Sequence, residues 1–113
     1  MRVMVANEPR SYRETIACVL AELRPKVEVL TVEPRDLERE LLRVLPQLVV
    51  CSRVTRLINR EAPVWIELYP DLASSESVVS IDGQRITYPD IDLEAILSIV
   101  DEAERLFGDV HEG

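Results

Sequence analysis

Val3-Met4-Val5-Ala6-Asn7-Glu8-Pro9 and Pro46-Gln47-Leu48-Val49-Val50-Cys51-Ser52 are the two stretches that decide how this chain folds. Each carries a short apolar run without polar alternation and then turns polar. A strand covered on one face alternates. A strand covered on both faces does not, which is the habit of parallel strands inside an α/β sheet. Arg2 to Ala6 and Leu48 to Cys51 are therefore predicted to be inner strands. Glu8-Pro9 breaks the first, and Ser52 follows directly on the second. Ligands of open parallel sheets sit beyond the carboxyl ends of the strands, so the residues that end these two runs carry most of the chemical information.

The rest of the chain supplies the layers around them. Ser11 and Glu14 stand in capping-box spacing, and Tyr12, Ile16, Val19, Leu20 and Leu23 follow on one helical face until Pro25. Val27 to Val32 reads as a second strand. Pro34 suits the first turn of a second helix, whose apolar stripe is Leu37, Leu41, Val44 and Leu45. Asp36 with Arg39, and Glu40 with Arg43, are spaced to pair along its wet side. Pro63 to Tyr69 is a further strand, containing Trp65. Strands alternating with helices imply crossovers onto a parallel sheet. Arg53 to Ala62 leaves room only for a shortened third crossover.

After Pro70 the rhythm changes. Asp71 to Ser77 is polar and turn-prone. Val78 to Ile81 and Gln84 to Tyr88 flank Asp82-Gly83, a two-residue hairpin signal. In that register Val79, Ile81, Ile86 and Tyr88 share one face, and Ser80, Arg85 and Thr87 the other. Asp90 or Asp92 can cap a last helix lined by Leu93, Ile96, Leu97, Val100 and Ala103, with Gly108 at its end. One α/β domain over residues 1–108 is expected, with 109–113 as a flexible tail.

Composition narrows the function. At 113 residues the chain fits one domain with a single core. No apolar run approaches the roughly 20 residues that span a bilayer, and Arg2 followed by a strand-like run does not read as a signal peptide. A cytoplasmic protein with no membrane partner is expected. The net charge of −8 argues against nucleic acid. Cys18, Cys51 and the lone His111 cannot assemble a zinc set. Gly83, Gly108 and Gly113 are the only glycines, so no glycine-rich phosphate cradle is present and no cofactor is expected.

The two opening stretches resemble the strand ends of response-regulator receiver domains, a CheY-like, flavodoxin-like family. Val5-Ala6-Asn7-Glu8-Pro9 is similar to the family's V-D-D-E-P, with Ala6 and Asn7 in place of its two aspartates. Arg13-Glu14, Ile16 and Leu20 resemble its first helix. Pro46 to Ser52 is similar to the third strand, with Ser52 where the phosphoacceptor aspartate stands. Pro63-Val64-Trp65-Ile66-Glu67-Leu68 resembles the fourth strand, with Leu68 replacing a threonine or serine. Tyr88-Pro89 resembles the family's K-P, with tyrosine for lysine. The resemblance implies a three-layer receiver-like α/β fold with a mostly parallel central sheet, a C-terminal β-hairpin replacing the fourth helix region, and a final helix.

It also implies a degenerate pocket formed by Ala6, Asn7, Glu8, Ser52, Leu68 and Tyr88. Receiver phosphorylation needs a carboxylate nucleophile and a magnesium ion on hard acidic oxygens. Ala6 offers none, Asn7 offers a neutral amide, and Ser52 lacks an adjacent base. The expectation is a non-catalytic signalling or protein-interaction module, a stand-alone pseudo-receiver that is not phosphorylated. The alternative is a small-anion-binding or enzymatic α/β domain working at the strand-end edge with Asn7, Glu8, Ser52 and Arg53.

Three further groups stand out. Cys51 followed by Arg56 resembles a cysteine-phosphatase loop, but the arginine arrives one place early and no glycine lets the backbone curl. Arg53, Arg56 and Arg60 recur at helical spacing and could meet an acidic partner or phosphate. The plainer reading is a solvated turn resting on Val54, Leu57 and Ile58. Trp65, Tyr69 and Tyr88 are candidates for an interface with an unidentified protein partner or a second copy through the hairpin and last helix. The plainer reading of Trp65 is core.

Overall fold

The structure, a computed structural model, describes residues 1–68 and 76–108. Its centre is the pair predicted above. Strand β1 (Arg2–Ala6) lies parallel to β3 (Leu48–Cys51), with Val3 opposite Leu48 and Ala6 opposite Cys51. Val3 to Ala6 and Leu48 to Cys51 are all at most 1% exposed. Strand β2 (Glu28–Thr31) pairs with β1 on one side, and β4 (Val64–Glu67) with β3 on the other, both parallel. Strands β5 (Glu76–Ile81) and β6 (Gln84–Pro89) extend the sheet antiparallel, giving six strands in the order 2-1-3-4-5-6. Residues 68–75 are too few for a parallel return, which takes about a dozen residues or more, so β5 reverses. The hairpin therefore joins the main sheet.

Side-chain alternation divides the core in two. Val3, Val5, Leu48, Val50, Val64, Ile66 and Val79 meet helices α1 (Arg10–Leu23) and α4 (Leu93–Phe107). Met4, Ala6, Val49, Cys51 and Trp65 meet α2 (Leu37–Val44) and α3 (Arg56–Glu61). A 3-10 turn, Pro34–Asp36, leads into α2. Arg24, at the end of α1, donates two hydrogen bonds to Asp101 of α4 (2.7 and 2.9 Å) and ties the helices of the first face together. The third crossover is short, as expected, and its helix spans only Arg56–Glu61.

That short helix leaves the second face thinly covered, and Arg85 of β6 completes it. Its guanidinium lies 5.4 Å from the centroid of the Trp65 ring. The Trp65 indole N–H donates to Asn59 Oδ1 at 3.2 Å, and Arg85 Nη2 donates to the same oxygen at 3.4 Å. Trp65 is 2% exposed and sits in the core.

Several local expectations need correction. Helix α1 starts at Arg10 after Pro9, whose carbonyl accepts from the N–H groups of Tyr12 and Arg13. Ser11 and Glu14 therefore fall inside the helix, no capping box forms, and Glu14 pairs with Arg10 at 2.8 Å. Leu23, expected on the buried face, is 47% exposed at the last residue of α1. Leu45 is not part of the α2 stripe. It ends the helix in the left-handed region (φ 53°) and is 61% exposed. Asp92, not Asp90, caps α4, its carboxylate accepting from Ala95 N–H at 2.8 Å. The Asp36–Arg39 and Glu40–Arg43 pairs form as spaced. Tyr69 and the expected tail at 109–113 lie outside the described residues.

A left-handed leucine is strained by its Cβ, by roughly 1–2 kcal/mol, and glycine is not. Leu45→Gly is expected to raise unfolding stability by about 0.5–1 kcal/mol after the entropy cost of glycine, read as a higher urea midpoint at unchanged slope. Arg85→Ala removes the cover from the only tryptophan. We expect a red-shifted Trp65 emission in the folded state and a loss of about 0.5–1 kcal/mol. An unshifted spectrum would show that Arg85 does not close that face.

Candidate functional site

In the order 2-1-3 the chain leaves β1 to one side and returns on the other, so the topological switch point lies between the carboxyl ends of β1 and β3. The residues singled out from the sequence meet there. Glu8 N–H donates to Ser52 Oγ at 3.0 Å and stitches the two strand ends together. Leu68, just past β4, donates its N–H to the Cys51 carbonyl at 2.9 Å and is buried. Ala6, Asn7, Glu8, Ser52 and Leu68 thus share one edge. Tyr88 ends the same edge on β6 but is separated from β3 by β4 and β5. At about 4.8 Å per strand, it stands roughly 14 Å from the Ser52 strand and is not part of that group.

A cleft of about 420 Å³ opens at the switch point, lined by Ala6, Glu8, Cys51, Ser52, Arg53 and Thr55 from the strand ends and by Pro34, Arg35, Leu37 and Glu38 from the start of α2. Its size is within the usual range of small-ligand sites. Its charges balance: Glu8 and Glu38 face Arg35 and Arg53, and Arg35 is paired with Glu33 at 2.9 Å. The loop holding Arg53 is fixed by Glu67, whose carboxylate accepts from Val54 N–H at 2.8 Å. Thr55 Oγ1 then accepts from Ile58 N–H at 3.3 Å and starts α3.

Asn7 does not line this cleft. Strand alternation sends its side chain with Val3 and Val5 toward α1. It is fully buried, and among the described residues neither of its amide atoms has a hydrogen-bond partner. Its carbonyl accepts from Arg13 Nη1 at 3.4 Å, and Arg13 is itself buried. The three arginines fall in two settings. Arg53 borders the cleft ahead of α3, whereas Arg56 and Arg60 lie exposed on the helix, with Arg60 paired to Glu61 at 3.2 Å. Ile58 is buried beneath them, as the plainer reading had it.

Sequence reading missed Arg35, Glu38 and Glu67 as members of this edge. Arg35 was within reach. It follows β2, and the end of every parallel strand faces the same side of the sheet. Glu67 was not, because it acts on Val54 across two strand ends. Among the described residues no group of three histidine, cysteine or acidic side chains is placed to hold a metal ion. No protein-family model matches the chain, and no curated protein or solved structure is significantly similar to it.

Cys51 reaches the cleft but is unsuited to nucleophilic work. Burial, reinforced by Glu67, pushes its thiol up to about 12, so the thiolate is scarce at neutral pH. An unfolded thiol ionises near 8.5. Between about 8.5 and 12 the folded state holds a proton that the unfolded state has lost, and stability falls as pH rises through that window. Cys51→Val is expected to flatten this alkaline loss, measured as unfolding free energy between pH 8 and 11. In the parent protein exposed Cys18 should react with a disulfide reagent while Cys51 stays protected until unfolding.

Proposed function

We propose that this protein is a non-catalytic signalling or protein-interaction module of receiver-like build, a pseudo-receiver that works without phosphorylation. The observation that carries this reading is the 3.0 Å hydrogen bond from Glu8 N–H to Ser52 Oγ. It sets side by side the two strand ends that, in the family this chain resembles, hold an acidic magnesium and phosphoryl pocket. Here those positions are Ala6, Asn7 and Ser52. The parallel order 2-1-3-4 of the first strands supports the same reading. It matches the flavodoxin-like winding, whose fifth strand is here replaced by an antiparallel hairpin.

The chemistry follows from the side chains. Magnesium demands several oxygen ligands, with carboxylates supplying charge. Glu8 is an exposed carboxylate beside the cleft, and its position is not backed by a second acid from β1 or β3. Ser52 Oγ accepts from the Glu8 N–H, and among the described residues that line the cleft there is no histidine to take its proton. Phosphoryl transfer through this edge lacks a carboxylate nucleophile at Ser52 and the acid pair that would hold magnesium at Ala6 and Asn7, and in this reading signalling passes through surface contact.

The switch-point cleft favours a second reading, in which Ser52, Thr55, Arg35 and Arg53 hold a small anion. Its balanced charge makes it the weaker of the two. Titration with magnesium and beryllofluoride, followed by amide NMR, is expected to leave Asn7 and Ser52 unshifted. Ser52→Asp incubated with acetyl phosphate should also stay unphosphorylated, because Ala6 and Asn7 still supply no negative oxygen. Stoichiometric acyl phosphate in that variant would overturn the reading. Saturable shifts at Glu8, Ser52 and Arg53 with inorganic phosphate alone would favour the second.

A further inference from the structure

The hairpin gives the sheet an open edge, and the register says which backbone groups are open. Asp82 and Gly83 (φ 51° and 84°) form the two-residue turn. Residues flanking such a turn exchange both backbone hydrogen bonds, and bonded and non-bonded pairs then alternate along the ladder. Ile81–Gln84, Val79–Ile86 and Ser77–Tyr88 are the bonded pairs, and Ser80–Arg85 and Val78–Thr87 the non-bonded ones. The N–H and C=O groups of Arg85 and Thr87 therefore point off the sheet. Both residues are exposed, β6 is the outermost strand, and no described residue pairs with these groups. Pro89, without an N–H, ends the row.

Beside this edge runs a groove of about 370 Å³ between the hairpin and α4, lined by Ile81, Asp82, Gln84, Ile86, Glu102 and Leu106. Its apolar walls are open to solvent: Ile86 is 48% and Leu106 43% exposed. Its ionised groups are both acids, although Arg105 is bonded to Glu102. On the elements that form it, Glu76, Asp82, Glu94, Asp101, Glu102 and Glu104 outnumber Arg85 and Arg105, and they still do with Asp101 engaged by Arg24 of α1.

An open strand edge beside an apolar groove is the geometry that accepts an extended peptide as an added strand. Backbone bonds supply affinity, and alternate side chains entering the groove supply selectivity. We propose that the β6–α4 edge binds an extended segment of a partner protein in which apolar and basic residues alternate with intervening ones, forming a seventh strand. Its backbone pairs with Arg85 and Thr87. Its groove-facing side chains set apolar groups against Ile86 and Leu106 and cations toward Asp82 and Glu102. A second copy of this chain is a poorer occupant. Its own β6 would present Gln84, Ile86 and Tyr88 on that face, with no cation, and two surfaces of net charge −8 repel.

The proposal rests on the reading of the chain as an interaction module and names its surface. The test is selection of a displayed random-dodecapeptide library against the intact protein, with the enriched sequence then made synthetically. Enriched peptides are expected to carry Lys or Arg and apolar residues two apart, and to shift the amides of Arg85 and Thr87. Binding should weaken roughly tenfold in Thr87→Pro, which removes an outward N–H but no bond to β5. It should weaken similarly in Leu106→Glu, which alters only an exposed helix position and guards against misfolding of the first variant. Enrichment of acidic peptides, shifts confined to other elements, indifference to both variants, or a dimer broken by Thr87→Pro would overturn it. These outcomes leave the absence of phosphoryl chemistry untouched, since that falls only to the magnesium and acyl-phosphate result at Asn7 and Ser52.

Discussion

The pairing of β1 with β3 is the constraint on which the rest of the molecule depends. Its residues from Val3 to Ala6 and from Leu48 to Cys51 are buried on both faces. A parallel ladder so enclosed has no water to satisfy a misplaced N–H, and a slip of one residue would trade Val3 and Val5 for Met4 and Ala6 across the sheet. The two faces differ: one is closed by α1 and α4, the other by α2 and the short α3. The register therefore cannot drift, and the strand ends are fixed against each other. The Glu8–Ser52 hydrogen bond and the cleft beside it follow from that fixed register.

What the edge can do then turns on four side chains. Ala6, Asn7, Ser52 and Cys51 end the buried strands, and none of them carries charge at neutral pH. Cys51 is held protonated by the same burial that makes β3 a good strand. The charges nearby, on Glu8, Arg35, Glu38 and Arg53, come from loops and helix starts and offset one another. A cleft of this kind has the size of a small-ligand site and a lining in which two acids offset two arginines.

The apolar runs made the inner strands legible, because burial on both faces suppresses alternation, and Asp82-Gly83 made the hairpin legible through its turn chemistry. The helices were readable in their middles and not at their ends. Pro9 moved the start of α1 one place ahead of Ser11, so the spacing of Ser11 and Glu14 pointed to a cap that the backbone never reaches. Leu45 continued the α2 period on paper but falls where the chain turns left-handed. Whereas Asn7 is buried away from the cleft, the edge was legible where the strands run out, at Ala6, Glu8 and Ser52. It was hidden where distant segments act on one another, as Glu67 does on Val54 and Arg85 on Trp65, since no local period encodes such a contact. Matching Tyr88-Pro89 to the family's K-P failed to bring Tyr88 to Ser52 because two strands stand between them.

The hairpin does two opposed things, and Arg85 takes part in both. Its side chain turns inward over Trp65 and closes the face that the six-residue α3 leaves thin. Its backbone turns outward and leaves an N–H and a C=O unpaired at the edge. A sheet closed by a fourth crossover helix would cover that face without exposing a new strand. Closing it with a strand instead moves the unfinished surface from the face of the sheet to its rim. Core closure and the open edge thereby meet in one residue: the Arg85 backbone that lies at the rim carries the side chain that covers Trp65. At the carboxyl edge the Glu8–Ser52 hydrogen bond joins the two inner strand ends, and the unpartnered groups there are the buried amide atoms of Asn7. The open backbone groups of the hairpin thus lie on β6, at the opposite side of the sheet from β2, while the cleft lies at the carboxyl ends of β1 and β3.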